Sequence, residues 1–473
     1  MINKTTIQKT CLILSDILAL LITFLVARYI LSIINPSIEH ITFKSVGIAK
    51  FGGLIVILVF WYQEQYVKRR PTWEELALLY KTIFIFAMLH MGLSFLISHH
   101  VIKIYNLLFW STLYFVLPTF RYLTKLSLHY LGLWTRNVYI VGTGKNAVAA
   151  AQLLSNNHIL GYKIIAFVVV DGSNTLAQHE LNFAFKDIPV VAYDVLLNHD
   201  ASMLDSEIVV ALSSTEIVHH LKKINILQSH YVFVSIVPDI IGLPLYGVHV
   251  EHFFGNDQLF LRLQNNLGRR LNRLIKRLTD IFLSCFGLII LSPVIVVISI
   301  LISITTRQSV FFRHKRIGKD GKYFYCIKFQ TMYSNGQEIL DQILVNDPAK
   351  RLEWEKDFKL KDDPRVTPIG KFLRKTSLDE LPQLFNVLLG EMSLVGPRPI
   401  VDAEVNKYHD DFYYYKLVRP GITGLWQISG RNDIDYHKRV RLDVCYIKNW
   451  SLWYDFVILF KTIQAVLWQN GAY

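Results

Sequence analysis

A chain of 473 residues is too long for one ordinary domain, and 52% hydrophobic residues with a mean hydropathy of +0.31 exclude a wholly water-soluble protein. The formal charge of +13, from 50 Lys and Arg against 37 Asp and Glu, admits nucleic acid, anionic lipid or phosphorylated substrates, so the placement of the charge has to decide. Cys11, Cys285, Cys326 and Cys445 are scattered without the spacing of a disulfide framework or a zinc site, which fits a reducing compartment.

Four long apolar segments fill the first quarter: about Cys11 to Ile34, Ile48 to Tyr62, Leu76 to Ile97 and Ile104 to Pro118. Each approaches the roughly 20 residues that cross a bilayer core. The first has no small-residue cleavage site and reads as a retained helix, not a signal peptide. Cations gather at Lys4 and Lys9, at Lys68, Arg69 and Arg70, and at Arg121, Lys125 and Arg136, with Lys44 and Lys103 sparser in the other loops. The positive-inside rule then puts both ends of this segment in the cytoplasm. A four-helix transmembrane bundle is expected over residues 1–130.

From Asn137 the pattern becomes Val-Tyr-Ile-Val-Gly, an apolar helical stretch and a second β-rich run from Ile164 to Val170, a βαβ opening. Gly142, Gly144 and Ala147 approximate a dinucleotide-binding glycine turn, with Asp171 as the acid that ends the second strand. Two readings stay open, a bound regulatory nucleotide and a Rossmann-like scaffold without that role, and the scaffold is preferred. Further strands near Glu207 to Leu212 and Tyr231 to Val237 extend this α/β domain over residues 136–262.

A basic stretch from Gly268 to Arg277 reads either as a nucleic-acid patch or as a juxtamembrane anchor, and the uncharged run Ile281 to Ile304 behind it favours the membrane. Arg307, Arg313, Lys315 and Arg316 make the far flank basic too, and Ser292-Pro293 falls at the midpoint, where proline removes a helical hydrogen bond. Each half is about 12 residues, roughly 18 Å of helix, too short to cross. A re-entrant hairpin over about residues 279–305 is expected, which keeps everything beyond it cytoplasmic. The alternative is a kinked spanning helix.

The carboxy-terminal segment carries the chemistry. Asp379 and Glu380 are adjacent acids within Arg374-Lys-Thr-Ser-Leu-Asp-Glu-Leu-Pro-Gln383. Taken alone, the Ser377 to Glu380 spacing reads as a capping box at a helix start. The stiff, arginine-bearing turns Gly396-Pro-Arg-Pro399, Arg419 to Gly424 and Gly430-Arg-Asn432 shift the balance toward phosphoryl chemistry, since such loops offer backbone donors and guanidinium forks to phosphate.

At these residues the sequence resembles the bacterial sugar transferases, also called polyprenyl-phosphate hexose-1-phosphate transferases or monotopic phosphoglycosyl transferases. The resemblance runs through Lys328-Phe-Gln-Thr-Met332, Arg374 to Asn386, Met392 to Pro399 and Arg419 to Asn432, and covers about Leu271 to Tyr473 with the Ser292-Pro293 break. The bundle and the Rossmann-like domain in front look like those of the family's large members. Gln264-Asn-Asn-Leu267, Trp354 to Lys361, Asp379 to Leu388 and the terminal Gly-Ala-Tyr473 are most similar to members that transfer galactose 1-phosphate. The expected fold is thus a membrane protein of α and α/β class, with the four-helix bundle, the Rossmann-like domain and a mainly helical catalytic domain over residues 268–473.

The resemblance implies transfer of a hexose 1-phosphate from a UDP-sugar to undecaprenyl phosphate, releasing UMP, as the first step of O-antigen, capsule or exopolysaccharide assembly. Asp379 would be the nucleophile that forms a phosphosugar-aspartate, and Glu380 would help to hold Mg²⁺. Lys328, Arg374 and Arg398 match phosphate-contacting cations, with Arg398 between Pro397 and Pro399 near the nucleotide site. Galactose is the first choice of sugar and glucose the second. The implied setting is the bacterial inner membrane, multi-pass, with the catalytic domain cytoplasmic, membrane lipids as partners, no nucleic acid, and a homodimer as a family expectation. Gln330 stands where the family commonly has arginine, and Lys315 where glutamine is frequent, which bears on the surroundings of Lys328.

Three rival readings compete with this one. A membrane-anchored nucleotide-sugar dehydratase or epimerase needs a Tyr-x-x-x-Lys pair, and no Tyr here is followed four residues later by Lys. A scaffold or redox sensor with a degenerate carboxy-terminal domain sits poorly with intact Asp379, Glu380 and Arg398. Nucleic-acid binding rests on charge alone, and that charge clusters beside membrane segments. The aromatic tail from Tyr446 to Gln469 reads as an interfacial amphipathic helix, with a core helix as the alternative.

Overall fold

The computed structural model describes residues 4–34, 47–97, 100–170, 185–197, 206–240, 248–252, 259–306, 309–333, 335–348, 350–351, 360, 363–430 and 435–467. Asp171, Arg307, Trp354, Arg431, Asn432, Trp468 and the terminal Gly-Ala-Tyr473 lie outside them. The chain forms two compact units, residues 1–241 and 242–473.

In the first unit, α1 (Lys4–Ile34), α2 (Gly47–Tyr62), α3 (Thr72–Ile97) and α4 (His100–Tyr130) pack around one core that includes Leu12, Phe60, Leu79, Ile83, Leu113 and Leu117. Their outer faces expose large apolar side chains such as Leu25, Leu58, Phe95 and Phe115. By length and composition, α1 and the Thr72–Leu96 part of α3 can cross a membrane; α2 falls short, and α4 is not among the helices that qualify. Among the described residues, two of the four expected spanning segments meet this measure. Between the helices, Arg121 grips Asp16 with bonds of 2.6–3.1 Å, Tyr66 donates to Asp16 at 2.7 Å, and Lys125 pairs with Glu75. Buried charges of this kind persist where each has its partner.

Behind α4, β1 (Arg136–Val141), β2 (Tyr162–Val169), β3 (Val190–Ala192), β4 (Glu207–Val210) and β5 (Phe233–Ile236) form a wholly parallel sheet in the order β3-β2-β1-β4-β5. Successive residues serve opposite faces. Val138 and Ile140 meet α5 (Lys145–Ser155) through Ala147 and Ala151, while Tyr139 and Val141 pack with Ile224 and Leu227 of α6 (Leu221–His230). This is the doubly wound Rossmann order. Gly142 has φ +123, and a Cβ there would stand 2.7 Å from the Ala211 carbonyl, so the glycine is explained by the close approach of the ends of β1 and β4.

The second unit opens with an antiparallel pair, β6 (His249–His252) and β7 (Leu259–Arg262). One continuous helix follows, α7 (Arg270–Thr306), which absorbs the basic stretch and is apolar enough to cross a membrane over Arg270–Thr305. Two cations of the basic stretch are engaged within the unit, while Arg269, Arg270 and Arg273 stay exposed. Arg277 donates to the Val387 and Leu388 carbonyls at 2.5 and 2.8 Å, and Lys276 to Asp455 at 2.8 Å. Ser292 Oγ donates to the Ile289 carbonyl at 2.8 Å, the carbonyl that Pro293 cannot serve because it has no N–H. Both halves of α7 pack on this unit: Asp280 accepts from Ser393 and Leu394 before the proline, and Ile298 and Ile302 meet Phe329 and Leu373 after it.

The tail divides the two readings made of it. Tyr446 and Trp450 are core residues, whereas α11 (Leu452–Leu467), which follows α10 (Tyr436–Lys448), buries Val457 and Ile458 and exposes Phe456, Phe460 and Ile463. Three exposed apolar residues at helical spacing form the stripe expected of an interfacial face.

Candidate active site

An antiparallel hairpin of β8 (Phe311–Ile317) and β9 (Tyr323–Phe329) sets the site's first wall, with Phe312 opposite Lys328, His314 opposite Cys326 and Arg316 opposite Phe324. Directly opposed residues share a face, so Lys328, His314 and Arg316 form a polar track along one side of the hairpin. Just ahead of Lys328 the outer edge of β9 is pinned by the buried side chain of Asn386. Its Oδ1 accepts from the Ile327 N–H at 3.0 Å, and its Nδ2 donates to the Tyr325 carbonyl at 2.8 Å and to Glu391 at 2.6 Å. Asn386 lies on α9 (Gln383–Leu389), so the carboxamide ties that helix to the lysine's strand.

The second wall is α8 (Pro368–Thr376). Thr367 caps it by accepting from the Gly370 N–H at 3.0 Å, Pro368 fits the first helical position, and Ser377 ends it in the left-handed region at φ 58. The capping-box reading of Ser377 and Glu380 is therefore corrected. Ser377 stops one helix with no side-chain cap bond at the start of the next turn, and Glu380 turns to a different partner. A single helical turn, Leu378–Glu380, carries both acids.

Lys328 Nζ donates to Glu380 Oε1 at 2.6 Å, and the two side chains keep 30% exposure each, so the pair borders solvent. Burial pushes the Asp379 carboxyl up to about 6; Lys328 and Arg374 oppose that rise and Glu380 adds to it. Burial alone would lower the Lys328 ammonium, but the Glu380 and Asp379 charges hold it above the usual lysine range. Arg374 Nε donates to Thr331 Oγ1 at 3.0 Å. The site thus gathers two carboxylates of unlike character between two cations, an arrangement suited to an anionic nucleophile that must meet an anionic phosphate.

Arg398 and its prolines lie in a second cluster. The Arg398 backbone N–H serves Asp443, whose carboxyl burial pushes up to about 7 and which accepts from Tyr408 at 2.8 Å. The Arg398 guanidinium stands 5.7 Å from the Trp426 ring centroid and that of Arg439 4.8 Å, and Arg316 donates to the Pro399 carbonyl at 3.1 Å. Pro397 accepts from the Gly421 N–H at 2.8 Å. Arg316 also contacts His314 at 3.1 Å, so the polar track of the hairpin leads from Lys328 to the Arg398 cluster. Of the residues singled out in the sequence, Asp379, Glu380, Lys328 and Arg374 come together, Arg398 sits at the other end of the track, and Gly142 and Gly144 belong to the other unit.

Thr331, Asn386 and His314 give no signal of their own in the sequence, and Arg316 enters it only as a cation flanking the apolar run. The first two stood inside quoted motifs, but their partners are far off in sequence and leave no local pattern. Among the described residues no group of three or more His, Cys, Asp and Glu side chains is placed to hold a metal ion. Two adjacent carboxylates, one already paired with Lys328, fit a hard cation that keeps water and completes its shell with substrate phosphate oxygens.

Comparison with known proteins agrees with this chemistry. The family described as bacterial sugar transferase matches residues 271–469. The undecaprenyl-phosphate galactose phosphotransferase of Salmonella typhimurium is 42% identical over 424 residues, 89% of this chain and 87% of that protein. The UDP-galactose-lipid carrier transferase of Erwinia amylovora is 40% identical over 426 residues, with the same coverage of 89% and 87%. A UDP-glucose:undecaprenyl-phosphate glucose-1-phosphate transferase of Klebsiella pneumoniae is 41% identical over 211 residues, 43% of this chain and 42% of that protein.

Proposed function

The chain belongs to the bacterial sugar transferase family, and we propose that it transfers galactose 1-phosphate from UDP-galactose to undecaprenyl phosphate, the initiating step of a surface polysaccharide. The observation that carries the reading is Asp379, a half-buried carboxyl raised to about 6 and bracketed by Lys328 and Arg374.

Asp379 attacks the sugar-bearing phosphorus, the bond to the α-phosphate oxygen breaks, and UMP leaves with that electron pair. An oxygen of undecaprenyl phosphate then attacks the phosphosugar-aspartate, and Asp379 is released as carboxylate. Lys328 and Arg374 offset the repulsion between aspartate and diphosphate, and partial burial makes their charge count for more than it would in water. Glu380 keeps Lys328 charged and oriented. Mg²⁺, with Glu380 as ligand, would supply further charge neutralisation on the diphosphate. Arg398, between Pro397 and Pro399, is proposed to receive the nucleotide end; the buried Nε of Arg439 beside it has no hydrogen-bond partner among the described residues, which supports a polar occupant.

Galactose is preferred because the galactose-named relatives match nearly the whole chain; UDP-glucose is the second reading, favoured by the glucose-named relative that matches 43% of it. The enzyme is read as a multi-pass protein of the bacterial inner membrane, with the first four helices embedded and Ser292-Pro293 turning α7 back so that the catalytic unit stays cytoplasmic. The packing of both halves of α7 on that unit supports re-entry, and the exposed apolar faces of the helices support lipid as their partner. The α/β domain is read as a scaffold, since the conformation of Gly142 is accounted for by the sheet itself.

The test is nucleotide release by detergent-purified protein with Mg²⁺ and undecaprenyl phosphate, with UDP-galactose and UDP-glucose in parallel and Asp379→Ala as control. UMP from UDP-galactose, absent in the variant, is expected; UDP as product would mean glycosyl transfer and would overturn the reading.

A further inference from the structure

The segment that follows Lys328 touches both ends of α8. The Thr331 carbonyl accepts from the N–H of Thr367, the helix's own cap, at 3.0 Å, and Thr331 Oγ1 accepts from Arg374 Nε in its last turn at 3.0 Å. Met332 pairs with Val366 and the Tyr333 N–H donates to the Arg365 carbonyl at 2.9 Å, so residues 331–333 run as a short antiparallel ladder against residues 365–367. The approach is close enough that a Cβ on Gly370 would stand 2.1 Å from the Thr331 carbonyl. Thr331 itself is 7% exposed. A buried hydroxyl oxygen aimed at one nitrogen of a guanidinium does a specific job. It fixes the rotation of a long side chain and leaves the two terminal nitrogens for another acceptor, and no other side-chain hydrogen bond of Arg374 occurs among the described residues.

We propose that Thr331 is a positioning residue for phosphosugar transfer, its hydroxyl holding Arg374 so that the guanidinium fork is presented to the phosphate that Asp379 attacks. The inference rests on the reaction proposed above and adds the device that orients one of its cations. A single four-residue stretch then places both: Lys328 on Glu380, and Thr331 on Arg374. The charged groups around Asp379 are Lys328 from β9, Arg374 from α8 and Glu380 from its own turn, with Asp363 and Arg365 next to Arg374.

The test uses the full-length protein in detergent with UDP-galactose and undecaprenyl phosphate. Thr331→Val keeps the shape and the backbone bonds and removes the acceptor; it is expected to lower kcat about tenfold or more with a smaller change in KM, the pattern of an interaction made chiefly in the transition state. Thr331→Ser restores the acceptor and should return activity to within about threefold of the parent. Arg374→Lys keeps a charge but has no Nε for the hydroxyl to accept from, so adding Thr331→Val to it should cause no further loss. Equal activity in parent and Thr331→Val, or an additive loss in the Arg374→Lys background, would overturn the proposal. If Thr331→Val does not fold, judged by its thermal midpoint, Thr331→Ala replaces it in the same cycle. A parent enzyme that releases no UMP would instead reject the reaction itself, so the two failures are distinct.

Discussion

The ammonium of Lys328 donates to Glu380 at 2.6 Å, so that of two neighbouring carboxylates one is engaged by a cation, while burial raises the other, Asp379, to about 6. The carboxylate form of Asp379 is the attacking form, so activity should fall as pH drops through about 6 and level off above it. Lys328→Met removes a charge that holds the Asp379 pKa down, so the acidic limb should move to higher pH, and kcat/KM should fall at least about 100-fold. A kcat/KM profile over pH 4.5 to 9 reads both effects. A limb that stays in place would mean that Lys328 does not act on Asp379.

Asn386 answers two backbone groups of β9 as a neighbouring strand would. Asn386→Leu strands the Ile327 N–H and the Tyr325 carbonyl, and each such loss costs about 1–3 kcal/mol, so a fall on the order of 3 kcal/mol and a lower thermal midpoint are expected. Activity should decline further than folding accounts for, because Lys328 is the next residue along that strand.

Arg121→Ala leaves Asp16 buried and uncompensated, with an expected loss of about 3–5 kcal/mol, whereas replacing both by apolar residues of similar volume should recover most of it. Thermal unfolding of the single and double variants checks this. A double variant as unstable as Arg121→Ala would show that the pair does more than satisfy itself.

The Asp379-Glu380 pair, Lys328 and Arg374 were legible because the chemistry needs those residue types and because the family motifs hold them in short, fixed strings. The sheet was legible from its alternation of β-rich runs and helical stretches. The role of Ser377 was not, since spacing cannot reveal that a serine takes a left-handed φ and ends a helix instead of starting one. Thr331 and Asn386 act through partners 43 and 59 residues away, and no periodicity records such pairings. In the tail, composition alone could not divide Tyr446 and Trp450, which enter the core, from Phe456 and Phe460, which stay outside.

Ser292 and Pro293 act together, one satisfying the carbonyl that the other leaves unserved. Pro293→Ala restores that N–H within a helix already continuous there and favours a straight course long enough to span. A fraction of the catalytic unit should then be exported and become accessible to protease from outside spheroplasts, while the parent remains protected. Export of the parent's catalytic unit would argue for a spanning helix.

Covalent catalysis by Asp379 can be read from the intact mass of the purified enzyme after incubation with UDP-galactose and Mg²⁺ without lipid acceptor. A mass increase of one hexose phosphate, mapped to Asp379, is expected with UMP released in equal amount; undecaprenyl phosphate should discharge the adduct while UMP continues to accumulate, and Asp379→Asn should form neither. UMP formed only when the lipid is present, with no adduct on the protein, would contradict covalent catalysis and point to direct displacement by the lipid phosphate.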